Sequence, residues 1–515
     1  MHATTAHDRR WWTLAVLSIA LLTISLDNTI LNVALPTIER DLGASSSQLQ
    51  WVVDAYTLVF AGLLLTMGSL GDRFGRRLAL VTGLLVFAGG SALSALAGSA
   101  DMLIAARALM GIGGALIMPS TLSILTNVFP AHERGKAIGI WAAVAGLGIA
   151  IGPVAGGWLI EHFDWSAIFL VNLPIVAIAL AATPALVPES RDPAGTRLDP
   201  LGAVLSTTGL ATLVWSLIEA PSRGWTSGPI LAGFGIAVLL LTAFVRWELT
   251  SSTPMLDVRL FGIRRFSGAS FSIALAFFAL FGTIFFLTMY LQDVMDLSAL
   301  AAGIRVTPVA AGLVLGGPLS ARLAERLGTR VVVAAGLLTV AAGLLLLSTL
   351  GPDSGYGTVA AGLVLMGFGM GSTMAPATES IMSSLPLDHA GVGSAMNDTV
   401  RMVGGTLGVA VLGSLLSSGY GADMEGATHS LPEPAAGAAQ NSIGGASAVA
   451  ERIGGAAGHA LGQAAETAFA SAMSTSLVVA AAVAAAGAMV AFTVLPARER
   501  ERSEKVALTL GAASA

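Results

Sequence analysis

The chain contains no cysteine. Disulfides, thiolate metal sites and thiol nucleophiles are therefore excluded, and cysteine usage gives no reading of the redox compartment. Charge is scarce as well: 11% of the 515 residues are Asp, Glu, Lys or Arg, against about 25% in a soluble domain. That is too little to cover a water-facing globule of this length. Lysine is nearly missing. Lys136 and Lys505 are the only two, followed by Ala137 and Val506, so neither completes the Gly-Lys-Ser/Thr of a phosphate-binding loop. Nucleotide hydrolysis by that route is excluded. The seven histidines make no metal-ligand spacing, and no Ser-His-Asp grouping or paired-carboxylate site stands out. An enzyme is not expected, nor a cofactor or metal.

What is abundant is apolar sequence, 55% of the residues, gathered in long blocks such as 229–245 and 267–291. Blocks of about 17–25 residues with few charges are long enough to cross a bilayer as helices. The expected spans are 12–36, 51–71, 78–98, 102–125, 136–160, 167–187, 198–218, 228–247, 267–291, 302–324, 330–350, 356–382, 391–416 and 474–496, fourteen in all. Arg9 and Arg10 precede the first apolar run like the start of a signal peptide, but the run from Trp11 to Leu35 is too long and lacks a small-residue cleavage site. It reads as a retained helix.

An even count puts both termini on one side. With them in the cytoplasm, 20 of the 26 basic residues fall in inside loops or adjoining span edges and 3 outside (Arg40, Arg223 and Arg452). Positive loops stay inside, so a multi-pass protein of the inner (cell) membrane with cytoplasmic termini is expected. The basic link 248–266 is then cytoplasmic, and the Gly- and Ala-rich segment 417–473 is external. That segment has the pattern for short amphipathic helices, while its glycines argue against a long one.

An internal repeat divides the chain. Gly71-Asp72-Arg73-Phe74-Gly75-Arg76-Arg77 follows the second span, and Ala324-Glu325-Arg326-Leu327-Gly328-Thr329-Arg330 follows the tenth at an offset of 253. Met110-Gly111-Ile112-Gly113 recurs as Met366-Gly367-Phe368-Gly369 at an offset of 256. Two matches at nearly one offset imply duplication. The expected fold is an all-α membrane protein of two six-helix halves, 1–190 and 251–515, with an inserted helix pair in 191–250.

Several motifs carry their own physical meaning. Gly75 permits a tight reversal and Asp72 sits at a helix end among Arg73, Arg76 and Arg77; this is either a basic topogenic loop or a latch, paired with Glu325 and Arg326 in the other half. Gly148, Gly152 and Gly156 share one helix face, and Pro153 interrupts the backbone bonding beside them, so a neighbouring helix can approach closely. Gly68–Arg77, Arg107–Ser120, Gly146–Leu159 and Leu26–Pro36 together resemble the motifs of the major facilitator superfamily, specifically its fourteen-helix drug/proton antiporter branch. The likeness covers nearly the whole chain. Met110 departs from it, standing where the family often has Gln.

Ionisable groups inside spans are costly, at least about 2.5–3.5 kcal/mol at mid-membrane unless compensated. Asp27 lies roughly 12 Å from the outer end of the first helix and Arg107 roughly 8 Å into the fourth from the same side, so the two can face each other. They form either a fixed structural pair or, as the resemblance implies, the proton-coupling pair. Asp54 is either interfacial or a drug-contacting acid. Asp398 and Arg401 share a helix face and either neutralise each other or serve the substrate; Glu379 is either interfacial or part of the site. Tyr56, Phe285, Phe286 and Tyr290 are the aromatic candidates for a substrate wall, though core or lipid-facing packing is the commoner role.

The resemblance implies proton-driven export of lipophilic, often cationic drugs or antibiotics by alternating access, with protons and the bilayer as the other partners. No nucleic acid and no obligatory protein partner are implied. The alternatives are a metabolite transporter on the same fold or a membrane sensor that transports nothing.

Overall fold

The structure is a computed structural model that describes residues 2–191, 199–251, 254, 256, 258–384 and 390–496. Arg197 and the carboxy-terminal Arg498, Arg500, Arg502 and Lys505, counted among the inside basic residues, lie outside the described residues. Among the described residues there are helices and no strand. In chain order the α-helices are α1 (His2–Leu42), α2 (Ser46–Phe74), α3 (Arg76–Ala95), α4 (Ala100–Val128), α5 (Ala131–His162), α6 (Ala167–Leu170), α7 (Asn172–Leu186), α8 (Pro200–Arg223), α9 (Gly228–Thr250), α10 (Arg264–Met289), α11 (Ala299–Val306), α12 (Pro308–Leu327), α13 (Thr329–Leu347), α14 (Tyr356–Met382), α15 (Ala390–Thr428), α16 (Glu433–Asn441), α17 (Ile443–Ile453) and α18 (Gly455–Val494).

Twelve helices among the described residues are long and apolar enough to cross a membrane, thirteen if the two parts of α2, bent by 53°, make one span. The fourteen expected spans are thus not all met by length and composition. The expected span 136–160 lies within α5, a 32-residue helix outside those twelve. The segment 417–473 departs from expectation in two respects, the first being that α15 continues into it as far as Thr428. It does contain two short helices, α16 and α17, but its glycines do not prevent a long one. α18 starts at Gly455 and runs unbroken for 40 residues into the last apolar block. Alanine, the best helix former, alternates with glycine there and offsets its cost; burial of Leu461, Ala465, Ala468 and Phe469 adds tertiary support.

Helix ends follow local chemistry. Ser45 caps α2 in a reciprocal box with Gln48, and Asp199 caps α8 by accepting from the Gly202 N–H at 2.8 Å. Trp247 of α9 donates its indole N–H to the same Asp199 carboxylate at 2.8 Å, tying the two helices together. Gly75 separates α2 from α3 with φ 131°, and Gly328 separates α12 from α13 with φ 87°. Both angles favour glycine, which is why the repeated acid-Arg-x-Gly pattern needs its glycine.

The chain forms two compact units. One comprises Met1–Leu256, Gly282–Thr307 and Val409–Met473; the other comprises Asp257–Phe281, Pro308–Gly408 and Ser474–Ala515. In the first, α5 lies against α1 along the glycine face read from sequence. A Cβ at Gly156 would stand 2.7 Å from Ile30 Cγ1 and 3.0 Å from the Ile30 carbonyl oxygen. In the second, α12 meets α14 through small residues, and a Cβ at Gly371 would lie 2.5 Å from the Leu313 carbonyl oxygen. Lipid offers little hydrophobic drive between helices, so such close backbone approach carries much of the association.

Gly156→Val is accordingly expected to force α1 and α5 apart at a cost of about 1–3 kcal/mol. Thermal unfolding of the detergent-purified protein should register it as a lowered midpoint. Gly89→Ala, at an exposed site with nothing near the added carbon, should leave the midpoint unchanged or raise it.

Candidate functional site

The polar centre of the first unit is built on α1, α2, α3, α4 and α7. Asp27 and Arg107 stand alone as charges in apolar stretches, and the structure brings them together. Arg107 Nη1 donates to Asp27 Oδ2 at 2.5 Å, with side-chain exposures of 1% and 0%. The rest of the guanidinium is held as well. Its Nε donates to the Val52 carbonyl at 3.1 Å, and its Cζ lies 4.4 Å from the centroid of the Tyr56 ring. Cation–π contact of this kind strengthens when water is excluded. Met110, which replaces the family's usual Gln, still meets the arginine: its Sδ is 3.8 Å from Nη1 and accepts from Ser94 Oγ at 3.5 Å.

The second Asp27 oxygen is satisfied by a residue the sequence reading did not single out. Asn172 Nδ2 donates to Asp27 Oδ1 at 3.2 Å and to Ser91 Oγ at 3.1 Å, and Ser91 passes the chain on to the Phe169 carbonyl at 2.8 Å. Asn172 is a lone amide in the apolar run 167–187, and that isolation was the available signal. The result is a fully buried chain Arg107–Asp27–Asn172–Ser91 in which one charge pair is matched by protein groups alone.

Asp54 is also fully buried, two residues before Tyr56 on α2. Its Oδ1 is 3.5 Å from the Thr57 hydroxyl, and its Oδ2 has no hydrogen-bond partner among the described residues. The interfacial alternative does not fit a carboxylate at 0% exposure. Tyr56 itself lies beneath Arg107 and stacks on Phe60 at 5.8 Å. Phe285, Phe286 and Tyr290 are 0–2% exposed; Phe285 lines a small pocket with Glu39 and Tyr420, while the other two are enclosed. In the second unit Arg401 Nη1 lies 3.5 Å from Asp398 Oδ1, its Nη2 donates to the Thr378 hydroxyl at 3.3 Å, and its Cζ sits 5.6 Å from the Phe277 ring. Glu379 is exposed on α14.

The Asp72 region forms a second charged cluster. Arg76 Nε reaches Asp72 Oδ1 at 2.6 Å. The Arg77 N–H donates to Glu189 Oε1 at 3.1 Å, and the Arg76 N–H to the Ser190 carbonyl at 2.9 Å, so the Gly75 reversal is fastened to the end of α7. Arg73 lies over Phe74 at 5.5 Å. Glu325 and Arg326 are exposed at the end of α12.

Residues 17–409 match the family model described as Major Facilitator Superfamily. The chain belongs to that family. It is 39% identical over 488 residues to the multidrug efflux pump LfrA of Mycolicibacterium smegmatis, covering 95% of this chain and 96% of the pump. It is 36% identical to the tetracenomycin C resistance and export protein of Streptomyces glaucescens, over 81% and 78% of the two chains. The puromycin resistance protein pur8 of Streptomyces alboniger is 38% identical, over 79% and 82%. Among solved structures, a bacterial homolog of the human lysosomal transporter Spinster, inward-facing and unoccupied, matches with a TM-score of 0.67 at 19% identity, over 95% of this chain and 98% of that one. The family and these relatives make the chain a multi-pass membrane transporter rather than an enzyme.

Removing one partner of a buried pair leaves an uncompensated charge. Arg107→Ala should therefore destabilise the protein by about 3–5 kcal/mol. Adding Asp27→Asn should recover part of that loss, which thermal unfolding of the single and double variants measures.

Proposed function

We propose that the protein exports lipophilic, often cationic drugs or antibiotics in exchange for protons, by alternating access across the inner membrane. The observation that carries the reading is the buried Asp27–Arg107 pair, completed by Asn172, in a chain whose relatives are named for multidrug efflux and antibiotic resistance. Protonation of Asp27 replaces the salt bridge by a hydrogen bond between a neutral carboxyl and the still-charged guanidinium of Arg107. A group that exchanges a proton in this way biases the conformation that it bonds best, which is the form coupling takes. Export draws on the proton gradient with no cofactor, and no obligatory protein partner is needed.

In this reading both termini are cytoplasmic and the segment 417–473 is external, as the distribution of basic residues supports. The bent α2 and the long α5 complete fourteen spans. α8 and α9, tied through Asp199 and Trp247, are the pair inserted between two six-helix halves. Asp54 and Asp398, with Glu379 and the aromatic side chains of α2 and α10, supply the substrate's counter-charge and apolar contacts. The Asp72 cluster and its counterpart at Glu325 and Arg326 serve the conformational step, and Asp72→Asn should slow turnover while leaving equilibrium drug binding nearly unchanged.

Asp27→Asn imitates the permanently protonated form. In proteoliposomes it should abolish drug-driven proton movement while the protein still inserts and unfolds cooperatively, and Arg107→Ala with Asp27→Asn should be no worse than either single variant. If Asp27→Asn still accumulates drug against its gradient and still moves protons, the pair is structural and coupling belongs to another acid.

A further inference from the structure

Another buried carboxylate, Glu39, lies outside this chain of bonds. Glu39, near the end of α1, is 3% exposed. Its Oε1 accepts from the Gly444 N–H at 3.1 Å, at the start of the 11-residue helix α17. The Ser442 hydroxyl and the Gly445 N–H also face the carboxylate, while Oε2 has no hydrogen-bond partner among the described residues. A Cβ at Gly444 would stand 2.7 Å from Oε1, so glycine is what admits the carboxylate to the helix end. An anion is favoured there because the first amides of a helix have no internal acceptors and carry partial positive charge.

The same junction is pinned from two other helices. The Ser46 hydroxyl at the start of α2 donates to the Asn441 carbonyl at 2.6 Å. The Tyr420 hydroxyl of α15 is 3.0 Å from the Ala439 carbonyl and 3.1 Å from that of Ser442. Below it lies the pocket lined by Glu39, Phe285, Met289, Tyr420, Ser442 and Phe469, among others. α10 ends in a π-helical turn, Tyr290–Val294, that sends the Gln292 amide to the Val33 carbonyl of α1 at 2.8 Å and sets Asp293 within electrostatic range of Glu39. The charged and titratable groups facing Glu39 are therefore Arg40 on its own helix, Asp293 on the π-turn and Tyr420 on α15.

We propose that residues 430–454, carrying α16 and α17, form a lid over the outer ends of α1 and α10 that Glu39 latches shut and that opens when Glu39 takes a proton from outside. The step is a simple acid–base exchange: a proton adds to the carboxylate, the negative charge at the α17 amides is lost, and no bond is broken in the chain. The lid would then open more often on the acidic side of the membrane, where a proton-driven exporter releases its substrate. The outward placement of this segment rests on the function proposed above; the latch itself rests on the geometry around Glu39.

The cysteine-free chain makes the test direct. Ala446 in α17 is 0% exposed and Ala456 in α18 is exposed, so Ala446→Cys reports lid opening and Ala456→Cys serves as a control for reagent access and thiol reactivity. In intact cells treated with a membrane-impermeant maleimide, Ala446→Cys should label slowly relative to the control, and the ratio should rise as the medium is acidified. Glu39→Gln should raise the ratio about fivefold at neutral pH and remove its pH dependence. Tyr420→Phe, which removes a pin without touching the acid, should raise the ratio and keep the pH dependence. A reporter as reactive as the control in the parent chain, or a ratio and pH dependence unaltered by Glu39→Gln, would overturn the latch. Labelling of Ala456→Cys only from the cytoplasmic face would overturn the outward placement and, with it, the external proton.

Discussion

A charge in the hydrocarbon interior must be matched where it stands, and the first unit is organised around meeting that demand for Asp27 and Arg107. The cost of a lone charge there, at least about 2.5–3.5 kcal/mol, explains why the neighbouring helices supply polar atoms at this level. α2 gives the Val52 carbonyl and the Tyr56 ring, α3 gives Ser91 and Ser94, α4 gives Met110 and α7 gives Asn172. The glycines follow from the same demand. Short polar contacts between helices require backbones that come close, and Gly111 of α4 permits this, since a Cβ there would stand 2.6 Å from the Tyr56 carbonyl oxygen.

The parts of this arrangement legible in the sequence are those that depend on one helix at a time. Rise per residue placed Asp27 and Arg107 at similar depths, and the structure joins them. The spacing of Gly148, Gly152 and Gly156 gave the packing face of α5, and the acid-Arg-x-Gly repeat marked two helix junctions where glycine takes positive φ. Asn172 and Glu39 were missed for a physical reason. Their significance comes from what another segment brings to them, and no periodicity along α7 or α1 encodes that partner. Tyr56 was legible as an aromatic near the polar centre, but its place beneath Arg107 depends on the packing of α2 against α4. The long α18 was hidden by composition, because glycine lowers helix propensity locally while burial across the whole helix decides the outcome.

Two carboxylates of the first unit illustrate how differently burial can be compensated. Asp27 is matched by a guanidinium and an amide, so its charge is balanced by a full opposite charge. Glu39 is matched by the amides of a helix end, a partial charge that falls away within the first turn. The first arrangement is stiff, since four side chains must rearrange together to change it. The second depends on the position of one short helix, and a small displacement of α17 is enough to lose it.

The choice of arginine at position 107 also bears on how the pair is held. Lysine offers one compact ammonium, whereas the guanidinium has several donors in a fixed plane and a face that stacks on rings. Here those attachments are divided: Nη1 is on Asp27, Nε is on the Val52 carbonyl and the face is on Tyr56. Two of the three do not involve Asp27, so Arg107 is anchored between α2 and α4 independently of the acid. Among the described residues Asp27 is held by Arg107 and Asn172, and both donate to its carboxylate oxygens. The acid's own helix is packed as closely on its other side: a Cβ at Gly148 would stand 2.7 Å from Ser25 Cβ and one at Gly156 2.7 Å from Ile30 Cγ1, so the α1–α5 contact holds Asp27 at the level of Arg107.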